Sequence, residues 1–166
     1  SPLDSYGRQL VWHGGHFEVM VMTWLPGDFS AIHDHGYAQW GAVQCFGHAE
    51  HHTYTLKGRH LDGEVSLPYS PGQIRLVNPG LIHQMGNSGS ESFLSLHIYG
   101  SDMHRGAITG SARVFAVDEG RIQFTNGGVF FGLPDRGILR SQSGLTADPD
   151  IVQRQLQLKT WRTAQA

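Results

Sequence analysis

The sequence predicts one all-β domain that ends in a single α-helix. Its 166 residues include 22 Gly and 7 Pro, and only 16% are charged, a composition typical of short strands joined by tight turns. Runs rich in β-branched and aromatic residues recur along the chain between such turns. Only the last segment has helical spacing. We therefore expect a barrel over residues 1–145, and a helical tail over 146–166 that packs on the barrel or on a second subunit.

The strand predictions follow from runs that alternate or are rich in Val, Ile, Phe, Tyr and Trp and that end at Gly, Pro, Asn or Asp. The predicted strands are FEVMVMTW (17–24), the segment around residues 29–35, WGAVQCF (40–46), AEHHTYTL (49–56), GQIRLVN (72–78), LIHQMGN (81–87), SFLSLHIYG (92–100), ARVFAVD (112–118) and RIQFTNGGVFFG (121–132). KGRHLDGE (57–64) is predicted as hairpin and loop, and 149–163 as the helix. Many short strands at regular spacing indicate a sandwich or barrel.

The charge balance excludes several classes of partner. The net charge is −2, so we expect no nucleic-acid partner and no anionic membrane surface. The single cysteine excludes an internal disulfide framework and is compatible with a reducing compartment. No apolar run reaches the length of a membrane span, and the chain does not begin like a signal peptide. We expect a cytoplasmic protein.

The histidines point to a metal. The chain has 11 of them, and His33 and His35 lie within FSAIHDHGYAQWGAV (29–43), which otherwise has the pattern of a buried strand. Residues i and i+2 of a strand point to the same face, so both rings face one way. Two imidazoles inside a core are unfavourable unless a partner accepts their lone pairs, and a metal ion would do so.

The spacing G-x5-H-D-H-x4-W-x6-G over residues 27–47, followed by G-x2-H-x3-N over 80–87, resembles the two sequence signatures of the cupin superfamily. This resemblance implies a double-stranded β-helix barrel with a central metal whose ligands are His33, His35 and His83. The usual glutamate ligand is replaced by Trp40, or by Gln39 if the gap is counted one residue shorter.

The missing carboxylate predicts a site of three neutral imidazoles. Such a site leaves the charge of a divalent ion uncompensated and positions around it open. It should favour anionic, multidentate ligands, including a thiolate. The two-His-one-carboxylate oxygenase site already carries a negative ligand, so it has less need of an anionic group from the substrate.

A second constellation lies in SFLSLHIYG. Strand geometry places Ser95, His97 and Tyr99 on one face and apolar residues on the other. The pattern indicates a hydrogen-bonded line in which Ser orients His and His orients the phenol. The alternative is a hydrogen-bonded barrel interior without a catalytic role.

SLHIYG, LIHQMGN, IHDHG and YGRQL together are similar to the thiol dioxygenase branch of the cupins, most closely the cysteine dioxygenases. The similarity spans about residues 6–99 and extends loosely to 131. It implies one Fe(II) per chain and the addition of both atoms of O₂ to a thiol sulfur, giving a sulfinic acid. By this resemblance Ser95, His97 and Tyr99 form the catalytic line, with the Tyr99 hydroxyl on dioxygen or substrate.

The resemblance also implies a substrate pocket. Arg8, which follows Tyr6 by two residues, matches the arginine that binds the substrate carboxylate, and a guanidinium suits that bidentate contact. Tyr6 belongs to the same motif, and Met22 and Trp24 fall where the family lines its pocket. Arg105 and Arg113 are the alternative carboxylate clamps.

Several departures qualify the resemblance. Trp40 occupies the position of the cysteine that animal members cross-link to the tyrosine, and strand parity directs Cys45 elsewhere, so we expect no Cys–Tyr cross-link. The residues after Tyr99 are Gly-Ser-Asp (100–102), a feature of relatives that oxidise 3-mercaptopropionate. The helical segment that precedes the barrel in the family has no counterpart before His33, so it is either absent or removed from the chain shown.

The sequence therefore predicts an iron(II) thiol dioxygenase for a small carboxylated thiol. Cysteine is favoured, and 3-mercaptopropionate or another thiol acid is the alternative. A second alternative is a non-redox metal-binding cupin, either an isomerase or a ligand-sensing module, because three imidazoles also bind zinc. The expected partners are the thiol and O₂, and the expected state is a monomer or homodimer. His48, His51 and His52 are predicted to be exposed.

Overall fold

The computed structural model describes residues 7–165, with side chains to residue 161. Within these residues the chain forms twelve strands, one 3₁₀ helix and one α-helix. In chain order they are β1 Gly7–His13, β2 Phe17–Trp24, β3 Trp40–Cys45, β4 Glu50–Lys57, β5 His60–Ser66, β6 Ile74–Val77, β7 Ile82–Gly86, β8 Phe93–Gly100, β9 Ala112–Ala116, β10 Arg121–Thr125, the 3₁₀ helix Asp135–Gly137, β11 Ile138–Ser143, β12 Thr146–Ala147 and α1 Pro149–Gln165.

The first sheet has the order β1-β2-β8-β3-β6, and every pair in it is antiparallel. Burial alternates along β2, β3 and β8, because each of these strands has one face toward the barrel interior. The pairing of β2 with β8 runs from Phe17 opposite Gly100 to Trp24 opposite Phe93. This sheet forms one wall of the interior.

The second sheet has the order β12-β5-β4-β7, and residues 29–35 extend it. His33 forms isolated bridges with His83 of β7 on one side and with Val114 of β9 on the other. Strands β9, β10 and β11 therefore continue this layer beyond residues 29–35.

These pairings define the fold. One layer contains β2-β8-β3-β6, and the facing layer contains residues 29–35 followed by β7-β4-β5. This is the strand order of an eight-stranded jelly roll, or double-stranded β-helix. The predicted fold class, an all-β barrel with a C-terminal helix, is confirmed.

Several elements differ from the sequence prediction. Strands β1, β11 and β12 lie where no strand is predicted. Residues 60–64, predicted as part of a hairpin and loop over 57–64, belong to strand β5, which pairs with β4. Leu61 is the one buried residue of β5, so the strand lacks the apolar alternation by which strands are recognised. Its backbone pairing with β4 and β12 holds it in place.

Helix α1 covers the outer surface of the second sheet. Gln155 exchanges two side-chain amide hydrogen bonds with Gln84 of β7, at 2.8 and 2.9 Å. Arg154 donates to the Glu50 carboxylate of β4 at 2.9 Å, and Ile151 and Leu158 are buried in the two apolar clusters. The packing of the tail on a second subunit and the domain limits stay predictions. No helix within residues 7–165 has the length and apolar character to cross a membrane.

Candidate metal centre

Three imidazoles meet inside the barrel. His33 and His83 are directly opposite each other on neighbouring segments, and each backbone N–H donates to the other's carbonyl at 3.0 Å. Cross-strand pairs of this kind place both side chains on one face, and their ring centroids are 4.7 Å apart. His35 lies two residues beyond His33, with its ring centroid 4.8 Å from that of His83. The potential ligand atoms of the three residues all lie within 4.8 Å of one another.

The hydrogen bond of His33 determines which nitrogen faces the centre. Its Nδ1 lies 2.8 Å from the Ala31 carbonyl oxygen, an acceptor, so Nδ1 carries the proton and donates. The Nε2 lone pair is then available to a metal ion.

His83 is oriented by a further histidine that sequence reasoning placed on the surface. The His51 side chain is buried, with 3% of the residue exposed, and its Nε2 lies 2.8 Å from His83 Nδ1. His51 Nδ1 donates to the Leu67 carbonyl oxygen at 3.1 Å. Arg75 Nη1 lies 3.2 Å from the same Nδ1. In the tautomer that donates to Leu67, His51 Nε2 accepts from His83 Nδ1, and the His83 Nε2 lone pair faces the centre.

The prediction that His51 is exposed is wrong. His48 is exposed and His52 is half-buried, whereas His51 faces the interior because β4 alternates its side chains between two faces. In AEHHTYTL the apolar residue Ala49 lies two residues before His51, and it is buried in the structure. This spacing is the signal that the odd-numbered positions point inward. His51 acts here through His83.

Burial keeps these imidazoles neutral. It lowers the pKa of His33 to about 4 and, with the neighbouring histidines, lowers the pKa of His35 and His83 well below the usual value. Burial, with a smaller effect of the Arg75 cation, lowers the pKa of His51 to about 4. At neutral pH each ring therefore offers a lone pair rather than a second proton.

The cluster fits a metal ion. Nε2 atoms of His35 and His83 are 3.1 Å apart, and two nitrogens this close require a proton or a cation between them. Imidazole nitrogens at about 2.1 Å from a shared ion are about 3.0–3.4 Å apart. A divalent ion bound by His33, His35 and His83 is therefore compatible with the geometry. Imidazole suits zinc, iron, copper and nickel, so the donors define a class of metal.

No carboxylate joins this cluster among residues 7–165. Asp34 lies between two of the histidines in sequence, but both its oxygens accept from Arg113, one from the backbone N–H and one from Nε, each at 2.6 Å. Trp40 is exposed, and Gln39 accepts a hydrogen bond from the backbone of Asp102. The three-imidazole composition expected from the sequence is what these residues present.

The predicted Ser-His-Tyr line lies beside the imidazoles. Ser95 Oγ is 2.6 Å from His97 Nε2, and His97 Nδ1 is 3.0 Å from Tyr99 Oη. Trp24 Nε1 donates to Ser95 Oγ at 2.7 Å, so the Ser95 proton is directed to His97. Burial lowers the pKa of His97 to about 3, and the neutral ring then donates from Nδ1 to Tyr99.

This polarity constrains the phenol, because Tyr99 Oη accepts from His97 and its own proton is therefore not directed to His97. The Tyr99 ring centroid is 5.1 Å from that of His35, which places the phenol next to the candidate ligands. Trp24, predicted to line the substrate pocket, thus has a hydrogen-bonding role as well. Trp24 and Met22 lie on the same face of β2, where Trp24 pairs with Phe93 of β8 and Met22 pairs with Ser95. This shared face is the signal that could have predicted the contact between Trp24 and Ser95.

A small cavity joins the two groups. About 30 Å³ of it is open to the centre of a water molecule, room for a ligand of few heavy atoms. Its walls include both candidate catalytic and metal-ligating side chains. Among them are Arg8, Met22, Trp24, His33, His35, His83, His97 and Tyr99.

Arg8 is the candidate clamp that reaches this cavity. It lies opposite Met22 across β1 and β2, and its charge contributes to the low pKa of His97. Arg113 is paired with Asp34, and Arg105 stacks on Tyr37 with 4.0 Å from its guanidinium carbon to the ring centroid. Tyr6 lies outside the described residues.

Trp40 and Cys45, the two residues considered for a cross-link to Tyr99, are not among the residues that line the cavity. Trp40 is on the outer surface of β3, opposite Gly100. Cys45 is buried, and its thiol donates to the Gly47 carbonyl at 3.3 Å. The absence of a cross-link stays a prediction.

No family model matches the chain. A solved structure of an uncharacterized protein with a double-stranded β-helix domain from Klebsiella pneumoniae is 24% identical, covers 61% of this chain and 81% of that chain, and has a TM-score of 0.49. Peruvianin-I, a cysteine peptidase from Thevetia peruviana latex, is 15% identical over 67% of each chain, with a TM-score of 0.51. A Bacillus subtilis oxalate decarboxylase with Mn(II) centres is 18% identical, covering 61% of this chain and 24% of that chain, with a TM-score of 0.47. Identities this low concern the fold alone.

Proposed function

We propose that this protein is a non-haem iron(II) thiol dioxygenase that converts a small carboxylated thiol to a sulfinic acid. The observation that carries the proposal is the shared cavity, in which three neutral imidazoles face the hydrogen-bonded line Ser95–His97–Tyr99. The one carboxylate among the described lining residues, Asp34, accepts from Arg113 and is not part of the imidazole cluster. A metal-binding barrel without redox chemistry has no need of that line. His33, His35 and His83 would hold the ion, which when bound supplies the activation of O₂.

The protein residues bind and orient the substrate. The Arg8 guanidinium at the cavity wall suits a carboxylate, and the small volume of the cavity suits a substrate of few heavy atoms. Because the imidazoles bring no negative charge, an anionic thiolate is favoured beside the metal. Met22 and Trp24 form an apolar wall that limits water, which strengthens electrostatic interactions inside.

Tyr99 stabilises the negative charge that develops on oxygen. Its hydroxyl is oriented by His97, which Ser95 and Trp24 orient in turn, so the donor is in place before the reaction begins. The reaction is balanced by its two substrates. Two S–O bonds form and the O–O bond breaks, sulfur is oxidised and O₂ is reduced, and no outside reductant is consumed.

Arg8 favours a thiol that carries a carboxylate, and so favours cysteine over cysteamine. Cysteine is the favoured substrate, and 3-mercaptopropionate, which has the same group, is the alternative. The test is oxygen uptake by anaerobically iron-loaded protein with cysteine, 3-mercaptopropionate, cysteamine or mercaptosuccinate. We expect uptake with at least one carboxylated thiol, and incorporation of both atoms of ¹⁸O₂ into the sulfinate, measured by mass spectrometry. Absence of uptake with all four thiols would overturn the proposal.

Metal analysis separates this function from the non-redox alternative. Protein purified from cells grown with ample iron should contain iron. Stoichiometric zinc without iron, together with no oxygen uptake after iron loading, would favour an isomerase or a ligand-sensing module. The thiol and O₂ are thus the proposed small-molecule partners.

A further inference from the structure

The outer face of the first sheet is apolar across all five of its strands. A row of directly paired residues crosses it from Trp12 on β1 through Val19, Ile98 and Ala42 to Leu76 on β6. No residue in this row has a polar side chain apart from the indole N–H. Because each pair lies on the same side of the sheet, the row forms one continuous apolar strip.

The neighbouring row is uncharged as well. It runs from Gln9 through Val21, Leu96 and Gln44 to Ile74. Ile74 is exposed at the edge strand β6, while Val21 and Leu96 are half-buried. These two rows form the centre of what we call the outer face.

Large aromatic and aliphatic side chains extend the outer face at both ends. Trp40 is exposed and its ring lies over Gly100, where a Cβ atom would be 1.9 Å from the ring. Phe17 lies opposite Gly100 on the other side, and Leu94 is 48% exposed on the central strand β8. None of the outward-facing residues that these pairings place on the five strands is Asp, Glu, Lys or Arg.

The second sheet shows what such a face normally requires. Its outer surface is covered by α1 through the Gln84–Gln155 amide pair and the Glu50–Arg154 ion pair. No described element covers the outer face of the first sheet in this way. Contiguous exposed apolar patches of more than a few hundred Å² mark interaction sites in soluble proteins.

We infer that the outer face pairs with the same face of a second copy of this chain, related by a two-fold axis. Five strands at about 4.8 Å spacing and about six residues along each strand give a face of roughly 24 by 20 Å, or about 480 Å² in projection. The relief of the side chains adds accessible area to this figure. Standard interfaces bury about 800 Å² per partner and weak ones less than about 600 Å², so the face has the size of a weak homodimer interface that forms at higher protein concentration.

Charge supports a second copy as the occupant. An uncharged face meets no repulsion from itself when a two-fold axis brings each residue against its counterpart. It offers no cation to a nucleic acid or an anionic membrane, and no charge pattern that would select a different protein. An apolar sheet face of this kind can pack against its own copy without burying an unpaired charge.

The test is the mass in solution, measured by sedimentation velocity from about 1 to 200 µM. We expect the wild-type protein to have the mass of two chains at the upper concentrations. Leu94→Glu, on the central strand, and Leu76→Glu, which is 73% exposed, should each raise the dimer dissociation constant by about a hundredfold or more, because each introduces two unpaired charges into the interface. Leu139→Glu, at a residue 62% exposed on β11, is the matched control and should remain a dimer.

A wild-type mass of one chain over the whole range would overturn the inference and leave the face to another occupant. A dimer that persists in both glutamate variants would place the interface on a different surface. Circular dichroism and bound metal report that the variants are folded. The experiment needs no enzyme activity, so it is independent of the proposed function.

Discussion

The two sheets supply different chemistry to one cavity. The second sheet, with residues 29–35, carries the nitrogen donors His33, His35 and His83, and His51 supports them from β4. The first sheet carries Arg8 and the line that ends at Tyr99. Because the two sets lie on separate walls, variants on one wall should alter metal binding and variants on the other should alter turnover. The predictions below test this separation, from the largest effect to the smallest.

His83→Ala removes one of the three donors and should abolish stoichiometric metal binding. Under the proposed function, oxygen uptake should fall by a factor of about 1,000 or more, because activation of O₂ depends on the ion. Metal content and oxygen uptake are the measurements. His48→Ala, at an exposed histidine, should keep both, and full metal loading of His83→Ala would move the site away from this cluster.

Tyr99→Phe should keep the metal and lower kcat about 100-fold, because it removes one oriented hydrogen-bond donor while keeping the ring. Steady-state kinetics and metal analysis on the same preparation separate the two effects. Tyr54→Phe, a buried tyrosine in the other apolar cluster, is the control. An unchanged kcat would remove Tyr99 from the reaction.

His51→Gln should weaken metal binding by about 10- to 100-fold, since partners of metal-ligating histidines fix the ring and its tautomer. Competition with a chelator of known affinity measures this change. His52→Gln is matched in sequence but faces outward, where His52 contacts Glu50 and Glu64, and it should retain the wild-type affinity. Equal effects of the two substitutions would contradict a supporting role for His51.

Arg8→Ala should raise KM at least about tenfold for cysteine or 3-mercaptopropionate, a loss of about 1.4 kcal/mol. KM for cysteamine, which has no carboxylate, should stay nearly constant, and the metal content should not change. If both kinds of thiol respond alike, the clamp is elsewhere.

His97→Gln should flatten the pH dependence of stability. The pKa of His97 in the folded protein is about 3 and in the unfolded chain about 6.5. Between these values the unfolded state binds the extra proton, so the free energy of unfolding decreases as pH falls from about 6.5 toward 3. The wild-type decrease should be steeper by up to about 1.4 kcal/mol per pH unit, as measured by urea denaturation at several pH values. Parallel curves would mean that His97 is not held neutral by the fold.

The sequence predicted most of the barrel because its strands have strong patterns. In β8 the period-two alternation of FLSLHIYG is complete, and the three candidate ligand histidines stand in recognisable spacings. Both features depend on local order along the chain, which a sequence displays directly.

The features that the sequence did not predict depend on pairing between distant segments of the chain. Strand β5 is polar and is held by its neighbours' backbones. His51 stands in a polar stretch, and its role follows from the approach of β4 to β7, which brings its Nε2 to His83. Trp24 likewise meets Ser95 only because β2 pairs with β8.

The pattern of β8 is inverted relative to an ordinary barrel strand, with Ser95 and His97 inside and Leu94, Leu96 and Ile98 outside. Sliding β8 by one residue against its neighbours would exchange the two sets, and Phe93 and Tyr99 would leave the interior together with Ser95 and His97. The indole-to-hydroxyl contact between Trp24 and Ser95 and the fit of Trp40 over Gly100 select the native alignment instead. The register of this single strand therefore decides whether the Ser95–His97–Tyr99 line faces the imidazoles or the solvent.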